Sequence, residues 1–395
     1  MPAPSLTDAP LIVHLVYRLD FGGLENLMVE RINRLPAASY RHAVVALTES
    51  SDFAKKISRP DVQVYELHKP PGAGLGTHLD LYRLLRRLKP AVLHSYNLAG
   101  VEYAAIAMLA GVPVRINGAH GRDAADPDGT NPRHRMLRRL LIPFHDCMYG
   151  NSADLVKWNR EFIGVPAHKS RLLGNGIDSD KFHPAAAGKE DVHGFGAGTT
   201  VIGTVGRIQD VKDHAGLMDA FIALRALLPA QAASLRLAIV GDGPLLPALR
   251  AKAQAADIDQ LVWLPGARSD IAAILRSLDV FCMSSLAEGT PGSALEAMAT
   301  GLAVVGTRVG GLPEVIDEGI TGQLVPPADA PAMAAALARY VNDPALAKKH
   351  GAAGRERVLS RYNMPAMVAA YQSMYDTLCD RKTTLRKHVK PCVES

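Results

Sequence analysis

Short apolar runs alternate along the chain with segments whose apolar side chains recur every three or four positions, and the whole alternation occurs twice. In the first half, residues 11–16, 43–47, 62–67, 92–94 and 112–117 are short, β-prone and bounded by turn residues, which predicts buried parallel strands. Helices are expected at about 24–35, 78–88 and 99–110. In the second of these, Leu81, Leu84, Leu85 and Leu88 share one side and Arg83, Arg86 and Arg87 the other. A helix at about 133–141, a short strand near Met148 and a helix from Ala153 follow, and residues 166–178 close the half. The second alternation starts at Val201. It continues with a helix from His214, a strand at 235–240, a helix from Leu245, a strand at 261–264 and a helix from Ile271. Strands at 280–283 and 302–305 enclose one more helix, and helices from Pro331 and Pro344 end the half.

Two consecutive βαβ alternations predict an α/β chain of two doubly wound, Rossmann-like domains facing each other across a cleft. The first is expected over 1–182 and the second over 199–362. Between them, 183–198 reads as a linker because it carries Pro184-Ala-Ala-Ala-Gly188 and Gly194-Phe-Gly-Ala-Gly198. After the break at Tyr362-Asn-Met-Pro365, a C-terminal helix within 363–385 is expected to cross back to the first domain. Residues 386–395 form a basic tail.

Composition narrows the partners. Of the 395 residues, 48% are hydrophobic and 21% charged, ample for a core in each domain. The net charge of +5 suits phosphorylated ligands or an anionic membrane surface and is too small to argue for nucleic acid. Cys147, Cys282, Cys379 and Cys392 show no metal-ligand spacing, which predicts a reduced, cytoplasmic chain with no metal and no disulfides. Residues 1–10 lack the pattern of a signal peptide, and no apolar run is long enough to span a membrane. Two basic segments, 83–89 and 133–139, read as solvated helix faces or, taken together, as a patch for the cytoplasmic face of a membrane.

The chemistry concentrates between residues 284 and 307. Thr290 is expected as N-cap, Pro291 at the first helical position and Gly301 as the stop. Glu288 falls before the cap, at the carboxyl end of a strand, where open α/β sheets bind ligands. Glu296, with seven residues between it and Glu288, lies in the second helical turn and leans back over Gly292 and Ser293. The N–H groups of Gly289, Thr290 and Gly292, around Pro291, would face an anion. Two hydroxyl acceptors beside one anion site suit a phosphorylated sugar. Read without that neighbour, Glu288 equally serves the helix dipole.

Three further stretches supply candidates. Gly206-Arg207, with Lys212 five residues beyond the Arg, follows the first strand of the second half and can clamp a diphosphate with a planar fork and a point charge. Gly22-Gly23 follows the first strand of the first half and lets backbone approach a ligand, or simply turns the chain into a helix. His120, in Gly118-Ala-His-Gly-Arg-Asp123, stands just past a strand end, where its proton can serve a phosphate or a sugar hydroxyl. His94 and His134 read as structural. Neither glycine turn has dinucleotide spacing, and no P-loop is present.

Together, the Glu-seven-Glu segment, Gly206-Arg207 with Lys212, Gly22-Gly23 and the Gly311-Leu-Pro-Glu314 turn resemble the retaining glycosyltransferases of family 4. That resemblance covers essentially the whole chain and implies the GT-B fold. The stretches Tyr17-Arg-Leu-Asp-Phe-Gly-Gly-Leu-Glu-Asn26, Leu67-His-Lys-Pro70 and His120-Gly-Arg-Asp123 further resemble the sugar transferases of PEP-CTERM/exosortase exopolysaccharide loci. By resemblance, Arg207 and Lys212 bind the donor diphosphate, Glu296 the ribose, and Glu288 with the backbone of 289–292 the transferred sugar. Gly23 would approach the phosphate or acceptor, His120 the donor sugar, and residues 265–268, Arg268 included, the base. The implied activity is metal-independent transfer from a UDP- or GDP-linked sugar to a glycan or polyprenyl-linked acceptor. No cofactor beyond the donor is implied. Two positions depart from the family: Asp213 stands where Gly is common and Thr290 where an aromatic residue is common. A non-hydrolysing nucleotide-sugar epimerase and a non-catalytic nucleotide-sugar binder are the competing readings.

Overall fold

The computed structural model describes residues 9–72, 74–122, 126, 128–186 and 188–388. The chain divides into two compact units, residues 1–174 with 365–395, and residues 175–364.

The first unit holds seven strands: β1 (Leu11–Val16), β2 (Arg41–Ala46), β3 (Gln63–Glu66), β4 (Val92–Tyr96), β5 (Val114–Ala119), β6 (Cys147–Gly150) and β7 (Ser170–Leu172). They form one parallel sheet in the order β3-β2-β1-β4-β5-β6-β7. Helices α1 (Gly23–Arg34), α2 (Leu75–Leu88), α3 (Tyr103–Leu109), α4 (Pro132–Leu141) and α5 (Ala153–Trp158) alternate with the strands. The sequence explains the layering. β1 is apolar on both faces, and Ile12, Val13 and Leu15 are fully buried between β2 and β4. α2 turns Leu81, Leu84 and Leu85 inward onto Val13, Leu15 and Tyr103. β7 was not foreseen: Ser170-Arg-Leu172 is a half-buried edge strand with no apolar run to reveal it.

The second unit holds β8 (Thr200–Val205), β9 (Leu235–Val240), β10 (Val262–Trp263), β11 (Val280–Met283), β12 (Ala303–Thr307) and β13 (Gly322–Val325). They are parallel, in the order β10-β9-β8-β11-β12-β13. Its helices are α6 (His214–Leu227), α7 (Leu246–Ala255), α8 (Ile271–Arg276), α9 (Gly292–Ala299), α10 (Leu312–Val315), α11 (Ala330–Asn342) and α12 (Pro344–Arg361). Each sheet reverses its winding once, between β1 and β4 and between β8 and β11. The loops leaving those strand pairs diverge and leave a crevice at the carboxyl edge.

Helix α13 (Met364–His388) returns to the first unit, as expected. It inserts Tyr371, Met374 and Tyr375, and Tyr40 donates to Asp376 at 2.6 Å. Of residues 183–198, read as a linker, 183–186 and 188–198 instead belong to the second unit and are packed on it. Arg276 pairs with Glu190, Lys189 bonds Asp279 at 2.5 Å, and the buried His193 ring lies 6.2 Å from Trp263. Ion pairs and an aromatic pair anchor a glycine-rich stretch that its composition leaves loose. Among the described residues no helix is long and apolar enough to cross a membrane. Asp123 and Cys392 lie outside the described residues.

Candidate functional site

In the second unit, β8 and β11 are hydrogen-bonded neighbours at the winding reversal. The chain leaves β8 through Gly206 and Arg207 and leaves β11 through Ser284 to Glu288. Two hydrogen bonds stitch these exits together, and a third ties the β11 exit to the end of β12. Ser284 Oγ donates to the Lys212 carbonyl at 2.8 Å, Leu286 N–H to the Val211 carbonyl at 2.8 Å, and Thr307 Oγ1 to the Ser285 carbonyl at 2.6 Å. The Lys212 ammonium donates to Glu288 Oε1, and Ser285 Oγ donates to the same oxygen at 2.6 Å. Residues 72 to 76 positions apart in the chain thus share one edge. Arg207 is exposed, one residue beyond Gly206, whose N–H bonds the Val240 carbonyl at 3.0 Å.

Two glycines make the edge possible. At Gly310, φ is +50°, and a Cβ there would collide with the Glu288 carbonyl. Gly311 N–H then bonds the Gly289 carbonyl at 3.1 Å, so the Gly310-Gly311 pair props the Glu288-Gly289 loop from behind. At Gly241, a Cβ would collide with the Gly206 carbonyl.

Helix α9 begins one residue later than the sequence predicts. Pro291 is the N-cap, with φ −74° and ψ 101°, and Gly292 is the first helical residue. Thr290 therefore does not cap. A residue before proline is held extended, and the Thr290 carbonyl accepts from Asn175 Nδ2 at 3.2 Å. Glu296 lies in the second turn, half-buried, as anticipated. Asp213 sits in the left-handed region at φ +45°, which explains why glycine suits that position, and caps α6 by accepting from Gly216 N–H at 3.0 Å. The neighbouring His214 ring is buried and its pKa is pushed down to about 4, by desolvation first and then by Lys212. Arg268 lies beyond β10, exposed, and forks onto Asp270 at 2.9 and 2.6 Å.

In the first unit, Gly22 is the N-cap of α1 and Gly23 its first residue, with open space where a Cβ would stand. At the corresponding winding reversal, between the ends of β1 and β4, lies a cavity of about 220 Å³ lined by Tyr17, Glu25, Tyr96, Asn97 and Arg122 among others. Asn97 also accepts from the His120 N–H at 2.9 Å, which fixes the loop after β5. The His120 side chain turns inward, and its Nε2 lies 2.9 Å from the Tyr149 hydroxyl. Burial pushes its pKa down to about 3, with Arg31 adding to the shift, so the ring is neutral near pH 7. It offers an N–H, not an imidazolium. Arg138, counted on the basic face of α4, is buried against the Trp158 ring at 5.2 Å.

Sequence reasoning singled out Arg207, Lys212, Glu288 and Glu296 but missed Ser284, Ser285, Asn175, Gly310 and Tyr149. Of these only the Gly310-Gly311 doublet carries a local signal.

Comparison with known proteins agrees with this division. Residues 21–181 match the family model described as Glycosyltransferase Family 4, and residues 199–343 match the one described as Glycosyl transferases group 1. EpsF of Bacillus subtilis is 32% identical over 206 residues, which are 50% of this chain and 52% of that protein. An Escherichia coli UDP-Gal:alpha-D-GlcNAc-diphosphoundecaprenol alpha-1,3-galactosyltransferase is 26% identical over 311 residues, 75% of this chain and 78% of that one. In three of the curated relatives the aligned part spans 52%, 59% and 66% of their length. Anabaena HepE, solved in complex with UDP and glucose, superposes with a TM-score of 0.80 at 18% identity, covering 93% of this chain and 100% of that one. The chain thus carries a Glycosyltransferase Family 4 domain followed by a Glycosyl transferases group 1 domain, in the GT-B fold.

Proposed function

We propose that this protein transfers a sugar from a UDP- or GDP-linked donor to a glycan or polyprenyl-linked acceptor in bacterial exopolysaccharide assembly, with retention at the anomeric carbon. One observation carries the reading: Lys212 and Glu288 meet at the β8–β11 winding reversal, beside Arg207 and the start of α9. Cations there would meet the charge that develops on a departing diphosphate, and the reading calls for no metal ion. Glu288 and the backbone of 289–292 would hold the transferred sugar, Glu296 the ribose, and residues 265–268 the base. Gly22 and Gly23 are assigned to the phosphate or acceptor, and His120 to a hydrogen bond with the donor sugar. The bond from the anomeric carbon to the phosphate oxygen breaks while the acceptor oxygen bonds that carbon on the same face. The acceptor's proton passes to the leaving phosphate. Bacterial polysaccharide transferases among the relatives and UDP-bound neighbours among the structures support this reading.

The same reading places the acceptor at an anionic bilayer. Helix α4 exposes Met136 and Leu140, one turn apart, flanked by exposed Arg133 and Arg139. Charge reversal at Arg133 and Arg139 is expected to abolish binding to anionic vesicles.

A thermal-shift panel of UDP, GDP, ADP and their sugars tests the donor. A ligand at about 100 times its dissociation constant stabilises by about 2.7 kcal/mol. Stabilisation by one base class, followed by transfer to an acceptor, is the expected result. Epimerised donor formed without acceptor, or no response to any nucleotide, overturns the reading.

A further inference from the structure

Beneath the carboxyl edge of the first unit lies a cluster of three buried histidines, His14, His42 and His94, and the half-buried His120, with Arg31, the Tyr371 ring and the hydroxyls of Tyr96, Tyr149 and Tyr375. Strands β1, β2, β4 and β6, the loop after β5 and helices α1 and α13 all contribute. The proposed activity uses only His120 of this set.

The hydrogens in this cluster can be assigned by counting, because a hydroxyl has one hydrogen, a guanidinium only donates, and a neutral imidazole has one N–H and one lone pair. Tyr375 hydrogen-bonds only His94, whose Nδ1 lies at 2.7 Å, so its hydroxyl donates there and Nδ1 is the acceptor. His94 then carries its hydrogen on Nε2 and donates to the Tyr149 oxygen at 3.0 Å. The Tyr149 hydroxyl has one further ring nitrogen within bonding distance, His120 Nε2 at 2.9 Å, and its own hydrogen is satisfied there. His120 must therefore hold its hydrogen on Nδ1. That atom is enclosed and has no hydrogen-bond partner among the described residues.

We propose that Tyr149, fed by His94 and Tyr375, is a positioning residue that fixes His120 as the Nδ1–H tautomer, a neutral hydrogen-bond donor that an oxygen of the bound sugar or phosphate would meet once donor binding uncovers the enclosed Nδ1. The fold makes room for this arrangement: a Cβ at Gly118, two residues before His120, would collide with the Tyr149 hydroxyl. Asn97, at φ +52°, holds the His120 backbone from the other side. The ring is thus fixed at its backbone and at Nε2, leaving Nδ1–H as the ring's own unmet bond; Arg31 Nε and Nη1 and His42 Nε2 are the cluster's other unmet atoms among the described residues. Burial adds to the same end, since it keeps the imidazole uncharged. An uncharged donor does not protonate the leaving phosphate. It orients its partner and persists across the neutral range.

The donor role of His120 rests on the proposed transferase reading; the tautomer does not. The full chain, labelled with ¹⁵N-histidine, is examined near pH 7 by long-range ¹H–¹⁵N correlation, with His120 assigned by its loss in His120→Gln. The expected spectrum shows a protonated Nδ1 and an unprotonated Nε2, and Tyr149→Phe returns the ring to Nε2–H. An Nε2–H tautomer in the unsubstituted chain overturns the proposal, whether or not Tyr149→Phe folds. In transfer assays Tyr149→Phe is expected to lower kcat about tenfold, the worth of one hydrogen bond, with donor KM nearly constant. An Nδ1–H ring together with full activity of His120→Gln would leave the tautomer standing and remove His120 from donor binding.

Discussion

The ammonium of Lys212 donates to the carboxylate of Glu288, and the two ends of this pair differ in solvation: the Glu288 side chain is 8% exposed and that of Lys212 24%. Losing Lys212 leaves a nearly dry carboxylate with Ser285 alone, whereas losing the charge on Glu288 leaves an ammonium that water can reach. Lys212→Met is therefore expected to cost about 1–3 kcal/mol of stability, and Glu288→Gln less, because an amide oxygen still accepts from Ser285. Urea denaturation of both variants measures the asymmetry. Turnover should respond more sharply. If Lys212 meets the charge of the departing phosphate, Lys212→Met lowers kcat by about 10²-fold. A raised KM with kcat untouched would assign Lys212 to ground-state binding instead.

Glu296 is half-buried on the second turn of α9, eight residues beyond Glu288. Alanine is the best helix former, so Glu296→Ala should leave the helix intact. If its carboxylate accepts from the ribose hydroxyls, the variant binds nucleotide-sugar about tenfold more weakly, with kcat less affected. Calorimetric titration with the donor and with the free nucleoside diphosphate decides this. Equal affinities for variant and parent chain would exclude Glu296 from the site.

The fold was legible where the chain is monotonous. β1, β9 and β11 fall at the expected residues because each is a short apolar run between turn residues, buried on both faces. The winding order was legible too, since strand-helix alternation leaves few topologies. The site was legible in part. Glu288, Glu296, Arg207 and Lys212 lie within segments whose spacing has a local meaning. Tyr149 carries no such signal: its role comes from His94 on a strand two positions away in the sheet, His120 in the loop after β5 and, through His94, Tyr375 on α13, more than 200 residues along the chain. The start of α9 was misplaced for a subtler reason. Proline's fixed φ is compatible with a helix, but its ψ of 101° is not.

Gly310 is visible in the sequence as half of a glycine doublet, but what it supports is seen only in the structure. Its φ of +50° is costly for any residue with a Cβ, and the added carbon would press on the Glu288 carbonyl. Gly310→Ala is expected to destabilise the chain by about 1–3 kcal/mol and to displace the Glu288 loop. The informative comparison is with a core variant at the opposite, amino edge of the sheet, such as Leu235→Ala at the start of β9. At a temperature where both are folded, Gly310→Ala should lose donor affinity and Leu235→Ala should keep it. Equal retention would make Gly310 a matter of stability alone.

Acid should unfold the first unit, and the histidine cluster sets the window. Burial holds the pKa of His42 and His120 down to about 3 and those of His14 and His94 well below the ordinary value. In the unfolded chain all four titrate near 6.5. Between these values the unfolded state binds more protons than the folded one, so stability rises with pH there. The contribution is complete above about pH 6.5 and is lost as pH falls toward the depressed native values, by about 1.4 kcal/mol per pH unit for each group. Four such groups rapidly exhaust a net stability of about 5–15 kcal/mol. The carboxylates with lowered pKa, Asp61 among them, act in the same direction but only at lower pH. Cooperative unfolding is therefore expected between about pH 6 and pH 4, before most carboxylates titrate. Circular dichroism against pH, with urea midpoints at pH 7.5, 6.0 and 5.0, measures it. His42→Gln removes one titrating ring at the far end of the cluster and should flatten the slope by about one proton. A urea midpoint that does not move between pH 7.5 and 5.0 would mean that the buried rings take up protons without unfolding the unit.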